Sequence, residues 1–166
     1  MLTVRPAEKS DLTALDALFA RSYPAILKAD YPPSVLVTAI PRIARANPRL
    51  IESGSYFVVL DDAKSLVGAG GWTRSAPSGF DGALSTGHIR HVVTDVNRLR
   101  EGIGTVLMGE ILASAKTAGL NRLDCLSTRT AVPFYGACGF QVLGPVTVTL
   151  AQGIDFPAVR MQRFID

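Results

Sequence analysis

Hydrophobic and polar positions alternate at Leu2-Thr3-Val4-Arg5, the period of a half-buried strand, and Pro6 stops the pattern. Behind a capping Ser10 or Asp11 the period changes: Leu12, Leu15, Leu18 and Phe19 recur at helical spacing. Pro24, Pro32 and Pro33 interrupt the chain. A second helix is expected over 34–45, kinked or split at Pro41, with Asn47-Pro48 closing the region. Two β-rich runs, 55–60 and 66–72, flank Asp61-Asp62-Ala63-Lys64 and predict a hairpin. Residues 75–86, rich in Gly, Ser and Pro, predict a loop. Residues 88–94 read as a central strand. The clearest helix spans 102–118: Ile103, Val106, Leu107, Ile111 and Ala115 share a face and Gly119 is the stop. A strand at 123–126, a short helix at 130–137 with Pro133 in its first turn, and strands at 140–150 and 158–164 complete the pattern.

The order β-α-α-β-β-β-α-β-α-β-β predicts an α/β fold. No repeat, low-complexity run or long linker divides it, so one domain over 1–166 is expected, long enough to bury its own core. Net charge is +3, and Arg42, Arg45, Arg49, Arg98, Arg100 and Arg122 are scattered rather than arrayed as a stripe. That argues against nucleic acid as a partner; arginines near a pocket for a phosphorylated cofactor account for the charge as well. Cys125 and Cys138 lie in apolar contexts without metal-ligand spacing, so they read as free thiols of a reducing compartment, and no metal is expected. The N-terminus lacks a secretory apolar region and no apolar run approaches a membrane span. A cytoplasmic protein with no membrane partner is expected.

The chemistry concentrates in two segments. His88-Ile89-Arg90-His91-Val92-Val93-Thr94-Asp95 leads through a short polar loop into Arg100-Glu101-Gly102-Ile103-Gly104-Thr105, where the long helix starts. Backbone amides and a helix N-terminus meet there, a setting that suits a phosphate. Taken alone the two glycines fit a tight turn equally well. A Walker A loop fails because Glu110 and Ile111 follow Gly109, where Lys and Ser or Thr are required. A dinucleotide fingerprint fails because Leu107 occupies the place of its third glycine, although Asp124 lies at the spacing of a ribose-binding acid. The second segment is Thr130-Ala131-Val132-Pro133-Phe134-Tyr135-Gly136-Ala137-Cys138-Gly139-Phe140, whose aromatics taken alone could be core.

Together these segments resemble the acetyl-CoA site of the GNAT N-acetyltransferase superfamily. The family pattern Arg/Gln-x-x-Gly-x-Gly/Ala reads here Leu99-Arg100-Glu101-Gly102-Ile103-Gly104, with Leu99 in place of the Arg or Gln. The resemblance implies a mixed, twisted sheet of six to seven strands flanked by helices and splayed between 88–94 and 123–126 to hold acyl-CoA. It implies diphosphate binding by the amides of 100–105, with Arg98 or Arg100 assisting, and cofactor contacts from Val92, Val93, Thr94, Leu99, Arg100, Glu101, Gly102, Ile103, Gly104, Thr105, Thr130 and Tyr135. Thr130 stands where many members carry Asn, and Tyr135 where a tyrosine lies near the CoA sulfur. A backbone N–H near Val93 would receive the oxyanion.

Amide formation needs a neutral amine, hence a base. The resemblance implies His88 as the first candidate, since its place fourteen residues before Gly102 is similar to that of the glutamate base of histone-type members, with His91 the second. On a regular strand the two face opposite sides, so only one reaches the pocket unless a bulge intervenes. The resemblance implies direct acyl transfer from acetyl-CoA to a small-molecule or peptide amine, with the acceptor walled by Tyr23, Tyr31, Tyr56, Trp72 and the loop at 75–86. Asp30, Glu52 and Asp81 are the nearby carboxylates. A catalytically weak acyl-CoA sensor is the alternative, an interaction domain independent of CoA a third reading, and a homodimer is left open.

Overall fold

In the computed structural model, which describes residues 1–76, 85–150 and 153–166, a seven-stranded sheet runs through the chain in the order β1-β2-β3-β4-β5-β7-β6. Its strands are β1 (Thr3–Pro6), β2 (Tyr56–Leu60), β3 (Leu66–Thr73), β4 (Thr86–Thr94), β5 (Arg122–Ser127), β6 (Gln141–Leu150) and β7 (Ile154–Phe164). Every neighbouring pair is antiparallel except β4–β5. The helices are α1 (Leu12–Leu27), α2 (Pro33–Ile43), α3 (Pro48–Ile51), α4 (Ile103–Thr117) and α5 (Val132–Ala137).

The apolar runs in β2 and β3 are buried along almost their whole length because helices cover both faces. On one face Phe57, Val67, Trp72, Ile89, Leu123 and Cys125 pack with Leu107 and Ile111 of α4 and with Tyr135 of α5. On the other, Tyr56, Val58, Ala69 and Val93 pack with Leu15, Leu18 and Phe19 of α1. A third cluster joins Leu27, Tyr31 and Ala39 to Phe156 of β7.

Three local expectations are corrected. Pro24 lies inside α1, which runs unbroken past it: Leu15, Leu18, Phe19, Ser22 and Leu27 are buried on both sides of the proline, and that anchoring outweighs one missing hydrogen bond. Pro41 likewise sits inside α2. Asn47-Pro48 opens a helix rather than closing a region, for the Asn47 side chain accepts a hydrogen bond from the Arg49 amide and Pro48 takes the first helical position. Of the loop expected at 75–86, residues 77–84 and with them Asp81 lie outside the described residues, and β4 has begun by Thr86.

The β3–β4 ladder carries a bulge. Ala69 pairs with Val93 and Gly71 with Arg90, so β4 spends one extra residue opposite Gly70, and His91 adopts φ +45°. The bulge drives Val92 toward α4; a Cβ at Gly70 would stand 2.7 Å from Val92 Cγ2 and 3.1 Å from Leu107 Cδ2. Only glycine tolerates that approach. On the opposite face the His91 ring stacks on Phe19 at 6.0 Å, and the Tyr56 hydroxyl donates to the His91 carbonyl at 2.8 Å.

Burial lowers the His91 imidazole to about 4, with nearby Arg90 adding to the effect. The unfolded chain protonates His91 near pH 6.5, well before the folded protein does. Its contribution is therefore complete above pH 6.5 and lost as pH falls from 6.5 to 4, by about 3 kcal/mol at most. His91→Phe keeps a ring against Phe19, and should flatten that part of the stability–pH curve in urea unfolding. Parallel curves for the two proteins would refute the assignment.

Candidate active site

The one parallel pairing of the sheet is short. Thr86 pairs with Arg122, Gly87 with Leu123 and His88 with Asp124; beyond that point β4 continues for six residues and β5 for three without pairing. The sheet therefore opens between its central strands from Ile89 and Cys125 onward. The backbone of Val92, Val93 and Thr94 lies along the diverging part of β4.

Two helices meet at this opening. Gly102, at φ +81°, caps α4, and no side chain caps the helix N-terminus. Nothing lies within 4 Å of where a Cβ at Gly102 would sit, and Arg100 is also left-handed, at φ +66°. Left-handed residues beside an uncapped terminus make a concavity of backbone N–H groups that attracts anions. Thr105 is exposed in the first turn and Leu99 is 51% exposed beside it. Gly104 has a different reason to be glycine: a Cβ there would meet Phe134 Cε1 at 2.6 Å. The ring of α5 lies directly on the first turn of α4, which brings the two sequence motifs into contact. The Arg98 guanidinium pairs with Asp61 at 2.9 Å and Glu101 at 2.8 Å.

Tyr135 is buried beneath the opening, edge-on to Phe134 and Phe140. Desolvation raises its phenol well above the usual range, and the neighbouring Cys125 adds to this. It is protonated at every working pH. Burial likewise pushes the Cys125 thiol up to about 12, which removes it as a thiolate nucleophile. Thr130 precedes α5, and its hydroxyl is buried without a hydrogen-bond partner among the described residues.

Because of the bulge, His88, Arg90 and His91 all face the α1 side of the sheet. The two histidines expected on opposite faces share one. His91 is held against Phe19, whereas His88 sits beside Asp124 with a buried Nε2 that has no partner among the described residues. Burial lowers the His88 imidazole below its ordinary value; Asp124 opposes that, and Arg90, Arg122 and Arg160 add to it. His88 is therefore neutral at neutral pH and free to accept a proton.

The aromatic wall is assembled only in part. Tyr23 is half-buried on α1, edge-on to Phe19 and within electrostatic reach of both Tyr56 and Tyr135. Tyr56 is core, its hydroxyl spent on His91. Trp72 faces α4, donating to the Ser114 hydroxyl at 2.7 Å, on the opposite side from His88. Tyr31 is a pin: its hydroxyl donates to the Pro157 carbonyl and accepts from the Arg129 amide, while its ring stacks on Phe156. The site also contains residues that sequence reasoning did not assign to it, namely Asp124, Arg90, Arg122 and Arg160. Their signal was i, i+2 spacing of charged residues on expected strands, which marks one polar sheet face.

The chain matches the family model of the acetyltransferase (GNAT) domain over residues 29–163. Among solved structures it is similar to a GCN5-related N-acetyltransferase from Rhodopseudomonas palustris, at 18% identity over 98% of this chain and 94% of that one with a TM-score of 0.77. It is also similar to PaiA N-acetyltransferase from Thermoplasma acidophilum, solved in complex with coenzyme A, at 15% identity over 99% of both chains with a TM-score of 0.73. A third is N-acetylglutamate synthase from Neisseria gonorrhoeae, complexed with coenzyme A and N-acetyl-glutamate, at 17% identity over 100% of this chain and 35% of that one with a TM-score of 0.64. At these identities the likeness is one of fold. No curated protein matches the chain.

The balance of charges around His88 gives a measurable outcome. In an NMR titration His88 should titrate below 6.5. Asp124→Asn removes the one group that raises it, so its midpoint should fall further while that of His91 stays in place. A rise, or no change, would show that Asp124 does not act on His88.

Proposed function

The chain belongs to the GNAT acetyltransferase family, and from that premise we propose that it transfers an acetyl group from acetyl-CoA to the primary amine of a small molecule or peptide, with His88 as base and Tyr135 as proton donor. The acyltransferase class and the acetyl-CoA cosubstrate follow from the family; the acceptor and the roles of residues are the present reading. One observation carries it: Phe134 lies on Gly104, so the anion-attracting terminus of α4 and the buried Tyr135 border the same gap between β4 and β5.

The residues suit the cosubstrate. The open ground over Gly102 and the uncapped amides of Ile103, Gly104 and Thr105 suit a diphosphate. The unpaired edge of β4 at Val92, Val93 and Thr94 offers N–H and C=O groups to the amides of a pantetheine arm. The orphaned Thr130 hydroxyl offers one polar contact more. Acetyl-CoA supplies an activated thioester carbonyl. The acceptor nitrogen forms a bond to that carbon and the carbon–sulfur bond breaks. His88 takes the proton the nitrogen gives up, and Tyr135 gives one to the departing sulfur. A backbone N–H near Val93 receives the charge that builds on the acyl oxygen. Tyr135 rather than Cys125 faces this work, since a thiol held near 12 favours direct transfer over an acylated cysteine. One catalytic domain working in a reducing cytoplasm suits the free Cys125 and Cys138, and among the described residues no helix is long and apolar enough to cross a membrane.

Cosubstrate binding is tested at Thr105. Thr105→Glu adds a negative charge to a helix terminus that has none in its first turn, which should leave the ligand-free fold unchanged or more stable by about 0.3–1 kcal/mol. The same charge should weaken coenzyme A binding about tenfold or more in a thermal-shift titration. Undiminished affinity would rule out the α4 terminus as the diphosphate site.

The chemistry is tested by thiol release across an amine panel. His88→Gln should lower turnover by about 10²–10⁴-fold with coenzyme A affinity kept. It should also remove the steepening of log kcat/KM below the His88 midpoint, where one more proton must leave. Tyr135→Phe should leave stability within about 1 kcal/mol; its turnover deficit should shrink for an acyl donor whose thiol is more acidic. Wild-type turnover in either variant returns that residue to a packing role.

A further inference from the structure

The sheet face that carries His88 is basic in a way that acyl transfer alone does not require. Strand pairing sets Thr73, His88, Asp124 and Gln162 in one row across β3, β4, β5 and β7. Arg122 flanks the row on one side. One step toward the gap stand Arg90 on β4 and Arg160 on β7, which pairs with Leu126 of β5, so the two arginines lie on opposite sides of the opening. Asp124 is the only carboxylate among these residues. It lies 3.2 Å from Arg122 Nε and 3.8 Å from Arg160 Nη2.

Arg122 and Arg160 thus share one carboxylate, and Arg90 pairs with none among the described residues. Arg122 gives Asp124 one long hydrogen bond, from Nη2 to Oδ2 at 3.5 Å, while the buried Nε and Oδ1 make none. Arg90 is half-buried and gives one hydrogen bond, from Nη1 to Thr73 Oγ1 at 3.2 Å. Burial lowers its tendency to hold its proton. A half-buried positive excess of this kind is costly unless a counter-charge completes it. Guanidinium forks match the planar, two-oxygen geometry of a carboxylate. A polycation would meet repulsion from three sides.

Resting on the reading that this is the acceptor face of an acyltransferase, we propose that the acceptor is an amine that also carries a carboxylate, an amino acid in chemical class, held by Arg90 and Arg160 with its nitrogen toward His88. Arg122 and Asp124 position that face: Arg122 holds Asp124, and Asp124 sets the imidazole beside it.

The test uses the full chain saturated with coenzyme A. Binding is measured by calorimetry for L-amino acids, β-alanine and γ-aminobutyrate, each beside its carboxamide, and transfer is measured for the same pairs by thiol release from acetyl-CoA. At least one acid should bind about tenfold or more tighter than its amide, the scale of a charge-assisted contact. Arg160, whose side chain is 53% exposed, can be changed with little risk to the fold. Arg160→Gln should reduce the preference to about threefold or less with coenzyme A affinity unchanged, and Arg90→Gln serves as a second variant. Equal binding of acid and amide, no binding of any acid, or a preference that survives both substitutions would overturn the proposal, whether or not acyl transfer is seen. Acids that bind with the expected preference but release no thiol would support the anion site and refute the transfer chemistry instead.

Discussion

The arrangement depends on a ladder that stops. β4 and β5 pair for three residues and then part, although both continue. Unpaired backbone is tolerated in a protein interior only where something keeps the strands apart and something else can satisfy the groups left over. Here the separation is built in. A bulge opposite Gly70 bends β4, Phe19 of α1 and Tyr56 of β2 hold the bent segment, and on the other side of the gap β5 is tied to β7 through six paired positions. α4 and α5 then close over one face of the gap, with the Phe134 ring lying on Gly104. Every candidate group takes its position from that divergence: the α4 terminus at one end, Tyr135 beneath and His88 at the vertex.

The two faces of the gap differ electrostatically. The α4–α5 side is largely apolar, so a phenol and a thiol there are driven toward their neutral forms. The α1 side holds guanidiniums around His88 and Asp124, and the His88 imidazole is kept neutral by its surroundings. A reaction that must keep one proton on a donor and accept another at a base is served by such a division, because the two demands fall on opposite sides of one thin layer.

Much of this is written in the sequence, for identifiable reasons. The strands and α4 follow from period and from the glycines that bound them, and the meeting of the glycine turn with Phe134-Tyr135 follows from their resemblance to a known pattern. The continuation of α1 past Pro24 does not, because burial of side chains on both sides of the proline overrides a local penalty that the sequence displays plainly. The shared face of His88 and His91 depends on a single extra residue in one strand, which period counting assigns to the wrong side. Tyr56 and Trp72 look like pocket aromatics in a chain with few of them, yet both are buried with their polar atoms bonded within the protein. The basic face lies between these cases: His88 and Arg90, Arg122 and Asp124, and Arg160 and Gln162 each sit two apart, but their convergence needs the strand order, which β7 enters before β6.

The interrupted ladder also differs from an ordinary strand edge. An unpaired strand edge at the rim of a sheet is an invitation to a strand from another molecule, and proteins blunt such rims with charge, proline or brevity. Here the vacant edge is internal. Its two banks belong to one continuous sheet, joined at the vertex by His88 and Asp124, so the gap is a wedge closed at one end. An extended segment as long as a strand would have to enter the narrowing end, where paired backbone already stands. The chain can therefore keep a stretch of raw backbone exposed to a slender ligand while denying it to the repetitive stacking that aggregates flat, open edges.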